Sequence, residues 1–182
     1  VAKGRMEEPM QILSVINKFF TQQKNVVKSS FSGKRALVTA GPTVEVIDPV
    51  RYVSNRSSGK MGYAIAEALR DKGAIVTLIS GPTHLSLPEG INVVKVESAD
   101  DMFQAVTERF AKQDIVIKAA AVSDYTPMDI LEHKLKKQEG GLSVQFKRTK
   151  DILKYLGENK THQYLVGFAA ETQNIEQYAL DK

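Results

Sequence analysis

Short apolar runs alternate with helix-like segments from Lys34 to the end of the sequence, and this alternation constrains the fold more than any other feature. The strand-like runs cover residues 35–39, 74–80, 92–96, 114–117 and 164–169, and residues 142–147 also alternate like a strand. The helix-like segments cover residues 58–72, 98–110, 151–156 and 174 onward. Apolar strands separated by helices are typical of a parallel sheet that helices cover on both faces. We therefore predict a Rossmann-like, three-layer α/β domain with a mainly parallel sheet.

The junction between the first strand and the first helix is the most unusual loop in the sequence. Such junctions usually take two to six residues, whereas this one takes about 20. Open α/β sheets bind their ligands in loops at the carboxyl ends of strands. The junction ends in Ser57-Ser58-Gly59-Lys60, where free N–H groups and the helix dipole favour an anion. An ordinary helix cap would explain these small residues equally well.

Two common nucleotide-binding motifs are absent from this junction. A P-loop requires Gly and Ser or Thr where the sequence has Ser54 and Met61. The first turn has no G-x-G-x-x-G, and no acid follows the second strand to bind a ribose, which argues against a dehydrogenase.

The charge of the chain favours an anionic ligand. Its 182 residues carry a formal net charge of +4. Between residues 134 and 150 a single acid, Glu139, accompanies the bases Lys134, Lys136, Lys137, Lys147, Arg148 and Lys150. A solvated edge is the ordinary explanation of such a cluster. Nucleic acid, a nucleoside triphosphate or a phosphorylated metabolite would each match the charge.

The composition also indicates the kind of chemistry and the cellular location to expect of the protein. The chain has no cysteine, which excludes disulfides and thiol catalysis within these residues. No apolar run approaches the ~20 residues that a membrane span requires, and no secretory signal pattern opens the sequence. We therefore expect a cytoplasmic protein that does not enter a membrane.

Four ordered motifs resemble those of phosphopantothenate–cysteine ligases. The first joins Asp48-Pro49-Val50-Arg51-Tyr52, Ser54-Asn55 and Ser57-Ser58-Gly59-Lys60-Met61-Gly62. The others lie at residues 119–125, 134–137 and 167–172. The resemblance implies that residues 34–182 are a ligase domain, incomplete at its carboxyl end. It also implies that residues 1–33 are the tail of a preceding decarboxylase domain plus a linker.

This resemblance implies a reaction and its ligands. Such enzymes join 4′-phosphopantothenate to L-cysteine in coenzyme A biosynthesis, using CTP through an acyl-cytidylate, with Mg²⁺ on the triphosphate. FMN would bind only in the preceding decarboxylase domain, the ligase domain would form a homodimer, and nucleic acid would not be a partner. No protein nucleophile or protein metal site is expected. A non-catalytic basic domain that binds nucleic acid or a partner flavoprotein is the alternative.

The resemblance also assigns roles to individual residues. The catalytic residues would be Asn55, on the acyl group, and Lys134, on a flap formed by residues 126–141. Substrate would contact Arg51, Asn55, Ser58, Gly59 and Ala121. CTP would contact Lys118, Ala119, Ala120, Asp124, Lys134, Lys150, Asp151, Ile152, Leu153, Phe168 and Lys182.

Each assignment has a structural alternative. Asn55 could be a turn former, and Arg51 could pair with Asp48 or Glu45. The alanines after the fourth strand could serve tight packing, Lys134 could be a solvated lysine, and Phe168 could belong to the core. Thr149-Lys150 also stands where many relatives have Asn-Pro, so the sequence departs there from the nucleotide-contacting turn of the family.

Overall fold

The computed structural model describes residues 30–136 and 140–168. The strands are β1 (Arg35–Ala40), β2 (Val44–Val46), β3 (Tyr52–Ser54), β4 (Ile75–Ser80), β5 (Asn92–Lys95), β6 (Ile115–Lys118), β7 (Tyr125–Pro127), β8 (Phe146–Arg148) and β9 (Tyr164–Gly167). The helices are α1 (Lys60–Asp71), α2 (Ala99–Phe110) and α3 (Ile152–Asn159). Residues 1–29 of the predicted tail and linker, the predicted helix from residue 174 and Lys182 lie outside the described residues.

Five strands form a parallel sheet in the order β5-β4-β1-β6-β9. Residues of β1 pair with both neighbours, so that Thr39 lies opposite Lys118 on β6 and Ala40 lies opposite Ser80 on β4. The chain adds strands first on one side of β1 and then on the other. This reversal between β1 and β6 creates the crevice in which open α/β sheets bind ligands.

Helices cover both faces of this sheet, which confirms the predicted three-layer α/β fold. Alternate residues of β1 point to opposite faces, as the period of a strand requires. Ala36 and Val38 pack with α1 in one core, while Leu37 packs with α2 and α3 in the other.

Among the described residues, no helix is long and apolar enough to cross a membrane.

Two antiparallel hairpins depart from the sequence prediction. β2 and β3 pair within the long junction after β1, where we predicted only a loop. The strand predicted at residues 142–147 is shorter and lies later, at Phe146–Arg148, because only these residues pair with β7. The predicted flap, residues 126–141, begins within β7 and includes residues that are not described.

The amino end of α2 carries a complete capping box. The sequence Ser98-Ala99-Asp100-Asp101 predicts an N-cap with an acidic first turn. In the structure the Asp101 amide donates to Ser98 Oγ (3.1 Å), and the Ser98 amide donates to Asp101 Oδ2 (2.9 Å). This reciprocal bonding satisfies two N–H groups that a helix end would otherwise leave unpaired.

We expect Ser98→Ala to lower the free energy of unfolding by about 1 kcal/mol, because the Asp101 amide loses its acceptor. Urea unfolding of the protein would measure this loss. Thr107→Ala is the matched control. The Thr107 hydroxyl donates to Gln104 O in the middle of the same helix and does not cap the helix end. An equal loss in both variants would show that the cap contributes nothing particular.

Candidate functional site

The loops that follow β1 and β6 meet at the sheet's reversal point. Pro42 and Ala121 form an isolated parallel bridge there. The Ala121 amide donates to Gly41 O (2.9 Å), and the Thr43 amide donates to Ala121 O (3.3 Å). The long junction after β1 is therefore fixed by backbone hydrogen bonds to the loop that carries the predicted nucleotide contacts.

Thr43 connects both loops through its side chain and its carbonyl group. Its side chain is fully buried, and its Oγ1 accepts a hydrogen bond from the Ser123 amide (3.0 Å). Its carbonyl oxygen accepts one from Ser54 Oγ (2.7 Å). Ser54 and Ser123 immediately precede Asn55 and Asp124, so Thr43 bonds to the neighbours of two predicted site residues.

Asn55 lies where the loops after β1 and β6 meet. Its Nδ2 donates to Ala121 O (3.2 Å), although the residue is exposed. An amide group has two N–H donors, and this contact uses one of them. The structure thus brings Asn55 and Ala121, both predicted substrate contacts, directly together.

Small residues let the loops approach each other at the start of α1. Gly59 has a left-handed backbone (φ 75°) and provides the N-cap of α1 without a side-chain hydrogen bond. A Cβ on Gly59 would lie 2.8 Å from Thr83 Cγ2 and 3.2 Å from the Gly41 nitrogen, so a larger residue would be strained. Ser58 beside it is exposed. The anion site predicted for Ser58 and Gly59 remains a prediction.

Arg51 is held by a buried carboxylate. Its Nε donates to Asp48 Oδ2 (2.9 Å), and its Nη2 donates to the same oxygen and to Leu135 O (3.1 Å). The Arg51 guanidinium, together with the amides of Val50, Leu135 and Arg51, holds the pKa of Asp48 well below its usual range, against the effect of burial. The salt bridge with Asp48, which was the structural alternative for Arg51, is therefore present.

A cavity of about 580 Å³ opens at the carboxyl ends of β6 and β9. We call it the β6–β9 cavity. Its lining consists of Lys118, Val122, Asp124, Tyr125, Arg148, Thr149, Lys150, Asp151, Ile152, Leu153, Gly167 and Phe168. The structure therefore brings together most of the residues predicted to contact CTP. Phe168 is 53% exposed, so the alternative that placed it in the core is wrong.

The segment that precedes α3 forms one wall of this cavity. Lys150 Nζ pairs with Asp100 Oδ1 (2.8 Å) and lies 4.9 Å from the centre of the Phe103 ring. Asp151 is the N-cap of α3, because its Oδ1 accepts from the Lys154 amide (3.0 Å). Ile152 is buried in the core, so its backbone is the part that a ligand could reach most easily.

Three further residues predicted to contact CTP do not line the cavity. The Ala120 amide donates to Thr39 Oγ1 (3.2 Å), and Ala120 packs against the second core, as the packing alternative proposed. Ala119 is half-buried beside it. Lys134 is exposed and does not line the cavity. Its neighbour Leu135 donates through its amide to Asp48 Oδ2 (3.2 Å).

Several residues at this site were not predicted to act there. Thr43 and Asp48 organise the loops, while Tyr125, Arg148 and Thr149 line the cavity. The Thr149 hydroxyl donates to Ser123 O (2.7 Å), which joins the loop after β6 to the segment before α3. Asp48 could have been found, because it opens the Asp-Pro-Val-Arg motif. The sequence gives no comparable signal for Thr43.

A second cavity of about 480 Å³ lies at the carboxyl ends of β4 and β5. Its lining consists of Tyr63, Ser80, Gly81, Pro82, Thr83, Leu85, Leu87, Lys95, Val96 and Glu97. It contains none of the predicted site residues. The β6–β9 cavity is therefore the candidate ligand site that agrees with the sequence analysis.

Comparison with known proteins agrees with these motifs. Residues 31–182 match the family described as the DNA/pantothenate metabolism flavoprotein C-terminal domain. The chain is 52% identical over 183 residues to the coenzyme A biosynthesis bifunctional protein CoaBC of Bacillus subtilis, covering all of this chain and 44% of that protein. Identity to the CoaBC protein of Haemophilus influenzae is 48% over 183 residues, with the same coverage. The chain thus spans less than half the length of these relatives.

Solved structures show the same relationship. The C-terminal domain of a coenzyme A biosynthesis bifunctional protein CoaBC is 51% identical, with a TM-score of 0.75, over 85% of this chain and 73% of that one. A DNA/pantothenate metabolism flavoprotein from Streptococcus pneumoniae is 24% identical with a TM-score of 0.70, over 82% of this chain and 75% of that one, and supports the fold alone. The sequence match, the motifs and the shared fold place this chain in the DNA/pantothenate metabolism flavoprotein C-terminal domain family.

Proposed function

We propose that this domain is a ligase that joins 4′-phosphopantothenate to L-cysteine in coenzyme A biosynthesis. CTP would activate the carboxylate through an acyl-cytidylate. The observation that carries the proposal is that Val122, which lines the β6–β9 cavity, directly follows Ala121, whose carbonyl accepts from Asn55. We infer that a nucleotide in the cavity and an acyl group at Asn55 would adjoin. The names of the CoaBC relatives support a role in coenzyme A biosynthesis.

The cavity lining has groups suited to each part of CTP. Phe168 is an exposed aromatic ring on which a base can stack. Asp124 is an exposed acceptor for the cytosine amino group or a ribose hydroxyl. Lys118, Arg148 and Lys150 supply positive charge for phosphates.

The proposed chemistry has two displacement steps. The phosphopantothenate carboxylate attacks the α-phosphate of CTP and releases pyrophosphate, which forms the acyl-cytidylate. The amine of cysteine then attacks the acyl carbonyl, loses a proton and releases CMP, which forms the amide. Asn55 would orient and polarise the acyl carbonyl, and Lys134 would follow the charge on the phosphate. Catalysis rests on positioning and charge stabilisation rather than on a protein nucleophile.

The residues that line the β6–β9 cavity are compatible with a magnesium ion bound to the triphosphate. Within residues 30–136 and 140–168, no group of three or more His, Asp or Glu side chains could hold a metal ion. Mg²⁺ usually binds substrate phosphates with one or two carboxylates, and Asp124 and Asp151 line the cavity. When bound with the triphosphate, the ion would neutralise charge on the leaving pyrophosphate.

The proposal also covers the neighbouring domain, the oligomeric state and the cellular location of the enzyme. FMN would bind only in a preceding decarboxylase domain, the ligase domain would act as a homodimer, and the enzyme would work in the cytoplasm without nucleic acid as a partner. The half-exposed apolar residues Val50, Tyr52 and Val53 on the β2–β3 hairpin are available for contact with a second copy.

We expect CTP to stabilise the protein far more than ATP does at equal concentration, because an acceptor placed by Asp124 for the amino group of a pyrimidine would not meet the amino group of the larger purine. Ligand at 100 times its Kd adds about 2.7 kcal/mol of stability. Thermal-shift and calorimetric titrations of both nucleotides would measure the difference. Asp124→Ala should remove the preference, whereas Asp129→Ala, an exposed aspartate outside the cavity lining, should keep it. Equal shifts for CTP and ATP would remove the base-reading role of Asp124.

The product assay tests the ligase itself. Pyrophosphate release that requires CTP and phosphopantothenate together would support the proposal. Absence of release, combined with tight binding of an oligonucleotide, would favour the non-catalytic basic domain instead.

A further inference from the structure

Two segments that are distant in sequence meet on the buried carboxylate of Asp48. The side chain is fully buried beside the turn that leads into β3. Oδ1 accepts from the Val50 and Arg51 amides (2.9 Å each). Oδ2 accepts from the Arg51 guanidinium and from the Leu135 amide (3.2 Å). The turn carries Arg51, and Leu135 directly follows Lys134.

We propose that Asp48 is a positioning residue that holds Lys134 at a fixed distance from the loop carrying Arg51 and Asn55. The inference rests on the proposed function, since it concerns the site in which Lys134 would act. Asp48 is 87 residues from Leu135 in sequence, so this contact determines how the two segments are arranged. Two further bonds join the same segments: Arg51 Nη2 donates to Leu135 O (3.1 Å), and the Leu131 amide donates to Ile47 O (3.0 Å).

The contact requires a carboxylate at position 48. A carboxylate offers two acceptor oxygens with about four lone-pair directions, and every group that faces Asp48 here is a donor. An asparagine would offer one acceptor oxygen and turn an NH₂ group towards another donor. Because the group is buried, an unpaired donor is not compensated by water. Asp48→Asn should therefore release the Leu135 amide, whose bond to Oδ2 (3.2 Å) is longer than that of Arg51 Nε (2.9 Å).

A matched carboxylate lies at the opposite end of the sheet. Asp114 Oδ2 accepts from the Arg35 amide (2.8 Å), and its Oδ1 pairs with Lys34 Nζ (3.1 Å). Like Asp48, it accepts from the backbone amide of a distant segment and pairs with a cation, but its side chain is partly exposed and it precedes β6 rather than following a strand. Asp114→Asn therefore reports the effect of losing such a contact on stability alone.

Hydrogen exchange tests the contact independently of activity. In Asp48→Asn we expect the Leu135 amide to exchange about tenfold faster, as expected for the loss of one hydrogen bond. NMR of the protein would measure this rate, with the Leu131 amide as the internal reference. Asp114→Asn should leave both rates unchanged. Unchanged exchange of Leu135 in Asp48→Asn would overturn the proposal.

Kinetics test whether the contact positions Lys134. We expect Asp48→Asn to slow acyl-cytidylate formation about tenfold while the Kd for CTP changes less than threefold, and Asp114→Asn to have the normal rate. Added to Lys134→Gln, Asp48→Asn should reduce the rate less than threefold, because Lys134 is already removed. A full tenfold reduction in that background would overturn the proposal.

Two further outcomes are distinguishable. If Asp48→Asn does not fold, Asp48→Glu keeps the charge, moves the carboxylate by one methylene and should give the same results. If the wild-type protein forms no acyl-cytidylate, the proposed function fails, and the exchange rate of Leu135 still decides whether Asp48 joins the segments.

Discussion

Lys134→Gln is expected to slow acyl-cytidylate formation by about thirtyfold to several-hundredfold. This range corresponds to a loss of ~2–4 kcal/mol from a charge contact made in the transition state. Glutamine keeps most of the length and polarity of the side chain but removes its positive charge. Because Lys134 is exposed, the free energy of unfolding should change by less than ~0.5 kcal/mol. Rapid-quench measurement of phosphopantothenoyl-CMP, together with urea unfolding, would test both expectations.

Lys136→Gln provides the control for this prediction. Lys136 is an exposed lysine two residues further along the same segment, and its substitution removes the same charge. A normal rate in Lys136→Gln with a large loss in Lys134→Gln would show that position, rather than overall charge, matters. A normal rate in both variants would leave Lys134 as one of several solvated lysines.

The fold could be predicted because its signal is local. Each strand of the main sheet is an apolar run, and each connecting helix has its own periodicity, so the alternation alone indicated the parallel sheet. The β2–β3 hairpin was missed because its strands, Val44–Val46 and Tyr52–Ser54, are only three residues long. The position of β8 was wrong because it depends on pairing with β7, which lies about 20 residues earlier.

The candidate site could be predicted only in part. Asp124 and Phe168 fall at strand ends, so the expected topology indicates that they face the same edge of the sheet. The pairing of Lys150 with Asp100 joins residues that are 50 positions apart, and no local pattern reports it. Asp48 entered the sequence analysis only as a partner for Arg51, since its bond to Leu135 requires the folded arrangement of both segments. The motifs therefore identify residues, whereas the contacts between loops emerge only from the structure.

Asn55→Asp should separate the two half-reactions of the proposed ligase. The substitution keeps the size of the side chain but replaces an amide donor with a carboxylate. This anion would repel the acyl phosphate, and it could no longer donate to Ala121 O. Loss of one such donor usually reduces a rate about 10²- to 10³-fold, and we expect that loss in the attack of cysteine on the intermediate. CTP binding should change little, because Asn55 does not line the β6–β9 cavity.

Mass spectrometry of the reaction with and without cysteine would measure this separation. Phosphopantothenoyl-CMP that accumulates and turns over slowly in Asn55→Asp would support the role in acyl transfer. Asn159→Asp is the matched control, because Asn159 Nδ2 also donates to a backbone carbonyl, Tyr155 O (2.8 Å), at the far end of α3. If Asn55→Asp completes both half-reactions at the rate of this control, Asn55 is a turn former whose contact with Ala121 only stabilises the loop.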